Sequence, residues 1–193
     1  MDLIPSPSQT VGPFFHLGLT AMFDGILATP DAKGEHIRLI CRVFDGDGVP
    51  VPDAMIELWQ ADAEGKYHHP DDPHKTIDPA FRGFGRVASS EDGSCVFETI
   101  RPGRVPSLLA PNLKGTLQAP HLNISVFARG VLKRLATRIY FSGDPANAED
   151  PVLALVPADR RDTLMAQPNG EHPGSWKFDV HLCGEHETVF FDV

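Results

Sequence analysis

A histidine and an asparagine two positions apart, His121 and Asn123, lie within residues 119–129, which have the sequence APHLNISVFAR. Apolar and polar residues alternate there, and a period of two predicts a strand with one buried face. Both side chains then project from the same face, about 7 Å apart along the strand. A His-x-His pair at this place would hold a metal, whereas a carboxamide is a poor ligand beside imidazole. The segment is therefore a metal site, the remnant of one, or neither.

Other catalytic patterns are absent from the sequence. It contains no nucleophile elbow, P-loop or dinucleotide fingerprint, and its nine histidines lack zincin spacing. Residues 62–74 carry three His and four acidic residues, and we interpret them as a solvated loop. Tyr140 falls inside a strand pattern, which favours a packed sheet tyrosine, and a lone histidine such as His121 is more often structural than a ligand.

Composition sets the class of protein. The 193 residues suit one domain, or one domain with an arm, and 41% hydrophobic residues are enough for a core. A formal net charge of -9 argues against a nucleic-acid or anionic membrane surface, although a single Arg can still bind an anionic substrate. Without an apolar run of membrane length or a signal pattern, we expect a cytoplasmic protein, with Cys41, Cys95 and Cys183 as reduced, buried thiols.

Short apolar runs separated by Gly and Pro turns predict an all-β fold, a β-sandwich of mostly antiparallel strands with one short helix and an N-terminal arm. Residues 45–52 contain a DGDG turn and are expected to join the first two strands as an antiparallel pair. The helix is predicted at residues 158–167 with Asp159 as its N-cap. Strands are predicted at 36–44, 54–60, 84–88, 94–100, 119–129, 134–141, 175–183 and 188–191.

The N-terminal residues form the predicted arm. Residues 1–20 contain three Pro and little periodicity, so an extended or irregular segment is expected. Leu3, Ile4, Phe14 and Phe15 are apolar, which favours an arm packed on another surface, such as a second chain, over a frayed terminus. We assign residues 1–30 to an arm and connecting segment that packs on a partner, and residues 31–193 to the sandwich.

Six motifs, in order along the chain, resemble intradiol ring-cleavage dioxygenases. They are SQTVGPFF at 8–15, ELWQADAEGKY at 57–67, GFGR at 83–86, FETIRPG at 97–103, APHLNISVFARG at 119–130 and YFSGDP at 140–145. The resemblance implies a β-sandwich that holds ferric iron with two Tyr and two His. It also implies that the metal binds a catecholate and that dioxygen breaks the bond between the two hydroxyl-bearing carbons. With protocatechuate the product is 3-carboxy-cis,cis-muconate.

The family's ligand positions map incompletely onto this chain. The two tyrosines fall on Tyr67 and Val105, and the two histidines on His121 and Asn123. An arginine that precedes the histidine pair in catalytic members falls on Gln118. Two of the four donors are absent, so these are vestigial metal-site positions, and we expect this chain to bind no iron by itself.

The resemblance also implies a partner. In the family, a chain of this kind pairs with a homologous iron-bearing beta subunit in a pseudo-symmetric heterodimer that assembles further, and its arm helps to wall the partner's active site. Thr10, Gly12, Pro13 and Arg129 are expected to bind substrate at that site. Arg129 lies about 26 Å from His121 along a straight strand, too far to serve a site there. Its guanidinium suits a substrate carboxylate, and an interface salt bridge is the alternative.

Two other functions stay open. One is a self-sufficient dioxygenase in which Tyr140 or a loop histidine replaces the lost ligands. The other is a non-catalytic sandwich that binds aromatic acids.

Overall fold

Eight β-strands form most of the regular secondary structure in the described part of the chain, and this confirms the predicted all-β fold. The computed structural model describes residues 9–22, 24–72, 78–107, 115–170 and 172–192. The helices are α1 (Pro13–Leu19) and the 3₁₀ segments Thr20–Met22, Pro145–Glu149, Leu153–Leu155 and Ala158–Leu164. The strands are β1 (His36–Phe44), β2 (Met55–Trp59), β3 (Phe84–Ala88), β4 (Ser94–Ile100), β5 (His121–Phe127), β6 (Leu135–Phe141), β7 (Met165–Pro168) and β8 (Ser175–His181).

The strands follow the order β3-β2-β5-β6-β7-β8-β1-β4. The first four are antiparallel and form one sheet, and β8, β1 and β4 form a second. Short strand β7 joins the two sheets, since it runs parallel to β6 at Tyr140 and Met165 and antiparallel to β8 at Gln167 and Lys177.

Residues 24–28 connect the two outer edges of this order. The amide of Asp24 donates to the carbonyl of Arg86 in β3 at 2.7 Å, and that of Leu27 donates to the carbonyl of Glu98 in β4 at 2.8 Å. Both edge strands are thereby partly covered, and the sandwich approaches a closed barrel. Leu27 is fully buried in the core. The boundary between arm and sandwich at residue 30 stays a prediction.

The core lies between the two sheets and is built from alternate residues of each strand. In β5 the inward side chains are Leu122, Ile124 and Val126, which pack in one cluster with residues of β1, β4 and β8. The opposite face of β5 and β6 is also covered. There Tyr140 packs in a second, smaller cluster with apolar residues of 153–164. His121 lies on this second face.

The predicted helix at residues 158–167 is wrong in type and length. Residues Ala158–Leu164 form a 3₁₀ helix, and Met165–Pro168 are strand β7. Pro157 occupies the N-cap position that we assigned to Asp159, and no side chain caps the helix. Hydrogen bonds of β7 to strands distant in sequence override the local helical pattern.

The predicted pairing of the first two strands and the predicted last strand are also wrong. Strands β1 and β2 do not pair, because β1 lies between β8 and β4 and β2 lies between β3 and β5. Alternation shows which face of a strand is buried but not which strand lies beside it. Residues 188–191 form no strand; Phe191 makes a single bridge to Ala136.

Within the described part of the arm, residues 9–12 are irregular as expected, whereas Pro13–Leu19 form a helix, which corrects the prediction for those residues. Pro13 is the first residue of α1, a position that suits proline because its φ is already helical and it lacks a donor there. Leu3, Ile4 and the side chains of Phe14 and Phe15 lie outside the described residues.

Two of the three cysteines are buried as predicted. Cys41 and Cys95 lie opposite each other on β1 and β4, whereas Cys183 is exposed, which corrects its predicted burial; all three are free. Cys183 lies in the turn after β8, beyond the last pairing of that strand with β1. No helix within the described ranges is long and apolar enough to cross a membrane.

Candidate functional site

The predicted site residues form two groups at the two ends of β5. His121 begins the strand, and Tyr67, Val105 and Asn123 belong to the same end. Arg129 follows the other end, after Phe127, together with the arm.

His121 is a buried, neutral imidazole. Its Nδ1 lies 2.8 Å from the carbonyl oxygen of Ala119, which is an acceptor, so Nδ1 carries the proton and Nε2 is left with a lone pair. Nε2 is buried and has no hydrogen-bond partner in the described part of the chain. Burial lowers the pKa of His121 to about 4, and the positive charge of Arg138 acts in the same direction.

Tyr67 and Asn123 contact each other near His121. The ring of Tyr67 packs on Trp59 with centroids 4.5 Å apart, and the Nδ2 group of Asn123 donates to the carbonyl of Trp59 at 3.3 Å. Burial raises the pKa of Tyr67, against the opposing effects of its hydrogen bond with Asn123 and the charge of Arg138. Tyr67 is therefore a neutral phenol at neutral pH.

Val105 is a buried aliphatic residue in the segment beside Tyr67. Its carbonyl accepts a hydrogen bond from the amide of Gln118 at 2.8 Å. Gly65 brings the two loops together: it has φ +79°, and a Cβ there would lie 2.1 Å from the carbonyl oxygen of Arg104. Only glycine allows this approach. The loop of Tyr67 is thus held against the segment of Arg104 and Val105.

Arg138 belongs to this end of β5, and the sequence analysis missed it. It is the register partner of Asn123 on β6, and its Nη1 donates to Oε1 of Gln118 at 2.6 Å. The same nitrogen lies 3.5 Å from the hydroxyl of Tyr140. Alternation in residues 134–141 places Arg138 and Tyr140 on one face, so an arginine inside a strand pattern was the available signal.

Asp150 fixes the start of β5 and was also missed. This buried carboxylate accepts the amide of Ala119 at 2.6 Å, those of Val152 and Leu153, and the hydroxyl of Tyr140 at 3.2 Å. Burial raises the pKa of Tyr140 far above its ordinary value. No sequence pattern indicated this network. In the described ranges, no three His, Cys, Asp or Glu side chains are placed to share a metal ion.

The second group joins the arm to the turn after β5. Thr10 Oγ1 accepts the amide of Gly130 at 2.8 Å and donates to the carbonyl of Ala128 at 3.4 Å. Arg129 lies between these residues and is exposed. Gly12 faces open space among the described residues, since a Cβ there would meet none of their atoms within 4 Å. Pro13 begins α1. The structure thus brings the arm and Arg129 together, away from His121.

Comparison with known sequences gives matches across most of the chain. The family model Dioxygenase_C, described as Dioxygenase, matches residues 11–184. The chain is 42% identical over 202 residues to the protocatechuate 3,4-dioxygenase alpha chain of Burkholderia cepacia, covering 97% of each. Identity to the alpha chain of Pseudomonas putida is 42% over 207 residues, covering 100% of this chain and 98% of that one. Identity to the beta chain of Burkholderia cepacia is 34%, covering 94% of this chain and 77% of that one.

Solved structures show the same fold. Catechol 1,2-dioxygenase from Pseudomonas arvilla C-1 aligns with a TM-score of 0.62 at 22% identity, covering 81% of this chain and 54% of that chain. The dioxygenase domain of a dioxygenase carbohydrate-binding fusion from Streptomyces sp. SirexAA-E aligns with a TM-score of 0.59 at 24% identity, covering 96% and 100%.

Proposed function

Because this chain belongs to the intradiol ring-cleavage dioxygenase family, as its motifs predicted, we propose that it is the non-metallated alpha subunit of a protocatechuate 3,4-dioxygenase. With an iron-bearing beta subunit it takes part in the cleavage of protocatechuate by O2 to 3-carboxy-cis,cis-muconate. One observation carries the proposal: the chain matches alpha chains over almost its full length while two of its four ligand positions hold Val105 and Asn123.

The residues at the vestigial positions do not fit ferric iron. The family uses non-haem iron, and a site of this kind needs phenolate and neutral imidazole donors. Here Tyr67 and His121 offer one of each. The side chain of Val105 has no atom that can bind a metal, and the NH2 group of Asn123 is hydrogen-bonded to the carbonyl of Trp59. We therefore assign the Fe(3+) of the holoenzyme to the partner and none to this chain.

A replacement ligand finds little support. Tyr140 would have to ionise, but burial raises its pKa and its hydroxyl already donates to Asp150. This argues against a self-sufficient dioxygenase built on Tyr140. A binding sandwich without catalysis is separated from our proposal by the experiment below.

In this proposal, the chain contributes to the reaction through the arm and the turn after β5. We assign Thr10, Gly12, Pro13 and Arg129 to the wall of the partner's substrate pocket. The partner's ferric iron would activate the aromatic ring toward dioxygen. The role of this chain is to orient the substrate: Arg129 is exposed, and its planar guanidinium suits the carboxylate of protocatechuate. Gly12 lets the arm backbone approach closely, because it has no side chain.

Purification of the full-length chain, alone and co-expressed with an iron-bearing homologue, tests the proposal. We expect the isolated chain to contain no iron, to lack the visible absorption of tyrosinate bound to ferric iron, and to leave protocatechuate unchanged. The co-expressed pair should contain iron, show this absorption and cleave protocatechuate, and a Tyr67→Phe variant of this chain should leave the turnover of the pair unchanged. Stoichiometric iron and ring cleavage in the isolated chain would overturn the proposal, and failure to form a pair would favour the binding sandwich.

A further inference from the structure

The register of β5 and β6 places an arginine among the vestigial ligand positions. His121 pairs with Tyr140 and Asn123 pairs with Arg138, so these four side chains share one face of two neighbouring strands. Diagonal neighbours on such a face lie about 7–8 Å apart, within reach of an arginine side chain. Arg138 is thus the diagonal neighbour of His121.

Hydrogen bonds hold the guanidinium across this face. Arg138 Nη1 donates to Oε1 of Gln118 at 2.6 Å, and the amide of Gln118 donates to the carbonyl of Val105 at 2.8 Å. The Gln118 side chain also donates to the carbonyl of Pro106 at 3.3 Å. Arg138 therefore reaches from β6 to the segment that carries the family's second tyrosine position.

Arg138 brings a positive charge to the strand face that it shares with His121, Asn123 and Tyr140. Other arginines in the described part of the chain form ion pairs with carboxylates, and none of these pairs includes Arg138. Its Nη1 lies 3.5 Å from the hydroxyl of Tyr140, which in turn donates to the buried carboxylate of Asp150 at 3.2 Å. A metal cation in the same partly buried space would be repelled more strongly than in water, since the effective dielectric constant is lower there.

We infer that the Arg138 guanidinium takes the place of a metal cation between Tyr67, His121 and Asn123, and that it excludes metal independently of the missing donors. The inference rests on the proposed function, in which this chain holds no iron. It adds that restoring a donor is not sufficient to restore metal binding.

Replacing Asn123 tests the inference without disturbing buried Val105. Asn123→His supplies a third donor beside Tyr67 and His121, and three protein ligands suffice in many metal sites. The full-length chain is prepared in this background with Arg138, Arg138→Gln, Arg138→Met and Arg138→Lys. Each protein receives Fe²⁺ without oxygen, is exposed to air and is desalted. Iron content and tyrosinate-to-iron absorption are then measured, and urea unfolding shows that each variant is folded.

We expect the Asn123→His variants with neutral Gln or Met at 138 to retain iron at least about 100-fold more tightly than those with Arg or Lys. Agreement between Gln and Met, which differ in polarity, assigns the effect to charge. Equal iron in N123H and N123H/R138Q would overturn the inference and leave the proposed function intact. No iron in folded N123H/R138Q and N123H/R138M would also overturn it. Iron in the wild-type chain would instead overturn the proposed function.

Discussion

The hydroxyl of Thr10 accepts the amide of Gly130 at 2.8 Å, across 120 residues of sequence. The same hydroxyl donates to the carbonyl of Ala128 at 3.4 Å, so Thr10 contacts both neighbours of Arg129. Thr10 of the arm is therefore hydrogen-bonded to the backbone on both sides of Arg129.

Replacing Thr10 by Val removes the hydroxyl and keeps the shape of the side chain. In the assembled enzyme we expect the KM for protocatechuate to rise about 3- to 10-fold, because one or two hydrogen bonds worth roughly 0.5–1.5 kcal/mol each are lost. The kcat should stay near the wild-type value. Steady-state kinetics check this, with Thr10→Ser as a control that retains the hydroxyl. Equal effects of Val and Ser would contradict a role for these hydrogen bonds.

Arg129 is predicted to recognise the substrate carboxylate. Arg129→Ala in the assembled enzyme should raise the KM for protocatechuate about 10- to 100-fold, the range for losing a charge-assisted hydrogen bond. Lys133→Ala removes another exposed cation nearby and should have little effect. Catechol lacks the carboxylate, so its kinetics should be almost unchanged by Arg129→Ala. An equal loss with both substrates would show that Arg129 supports the interface instead.

A substitution at Gly12 distinguishes an effect on the folding of this chain from an effect on catalysis by the assembled enzyme. A Cβ at Gly12 meets no atom of the described part of this chain within 4 Å, so Gly12→Ala should leave urea unfolding of the isolated chain unchanged. In the assembled enzyme the added methyl should reduce kcat/KM, because the arm backbone then stands further from the substrate. Gly18→Ala is the matched control, since a Cβ there also meets no described atom within 4 Å. Wild-type kinetics for Gly12→Ala would show that Gly12 does not line the substrate pocket.

Strand positions were predictable because alternation is a local property. The predicted bounds of β1, β3 and β4 agree with the structure to the residue. Each has turn residues at one or both ends, and in β1 and β4 buried and less buried residues alternate.

Pairing and the surroundings of His121 were not predictable in the same way. Strand β7 exists because β6 and β8 pair with it, and its own sequence resembles the end of a helix. The assignment of Val105 and Asn123 to lost ligand positions rests on motifs and stays a prediction. The presence of Arg138 beside them depends on the register of β5 and β6, which alternation does not specify.

Asp150 is predicted to be a large contributor to stability. Asp150→Ala leaves several buried donors unpaired, among them the amides of Ala119 and Leu153, and should lower the free energy of unfolding by about 3 kcal/mol or more. Asp150→Asn retains one oxygen and should cost less. Urea unfolding measures both, with exposed Asp159→Ala as the control, expected within about 0.5 kcal/mol of wild type. A small effect of Asp150→Ala would show that water replaces the carboxylate.

His121 should make stability depend on pH. Burial lowers its pKa to about 4 in the folded chain, whereas an unfolded histidine titrates near 6.5. Between these values the unfolded state binds more protons, so the contribution is fully present above about pH 6.5 and is lost as the pH falls toward 4. From pH 7 to pH 5 the free energy of unfolding should fall by about 2 kcal/mol more in the wild type than in His121→Gln.

Urea unfolding of both proteins at pH 7 and pH 5 measures this difference directly. Other groups titrate over the same range, so only the difference between wild type and variant is informative. His69→Gln, which removes a histidine whose side chain is 51% exposed, controls for the loss of an imidazole elsewhere. Parallel pH dependence in wild type and His121→Gln would mean that His121 can be protonated without unfolding, and that its Nε2 finds an acceptor once it is charged.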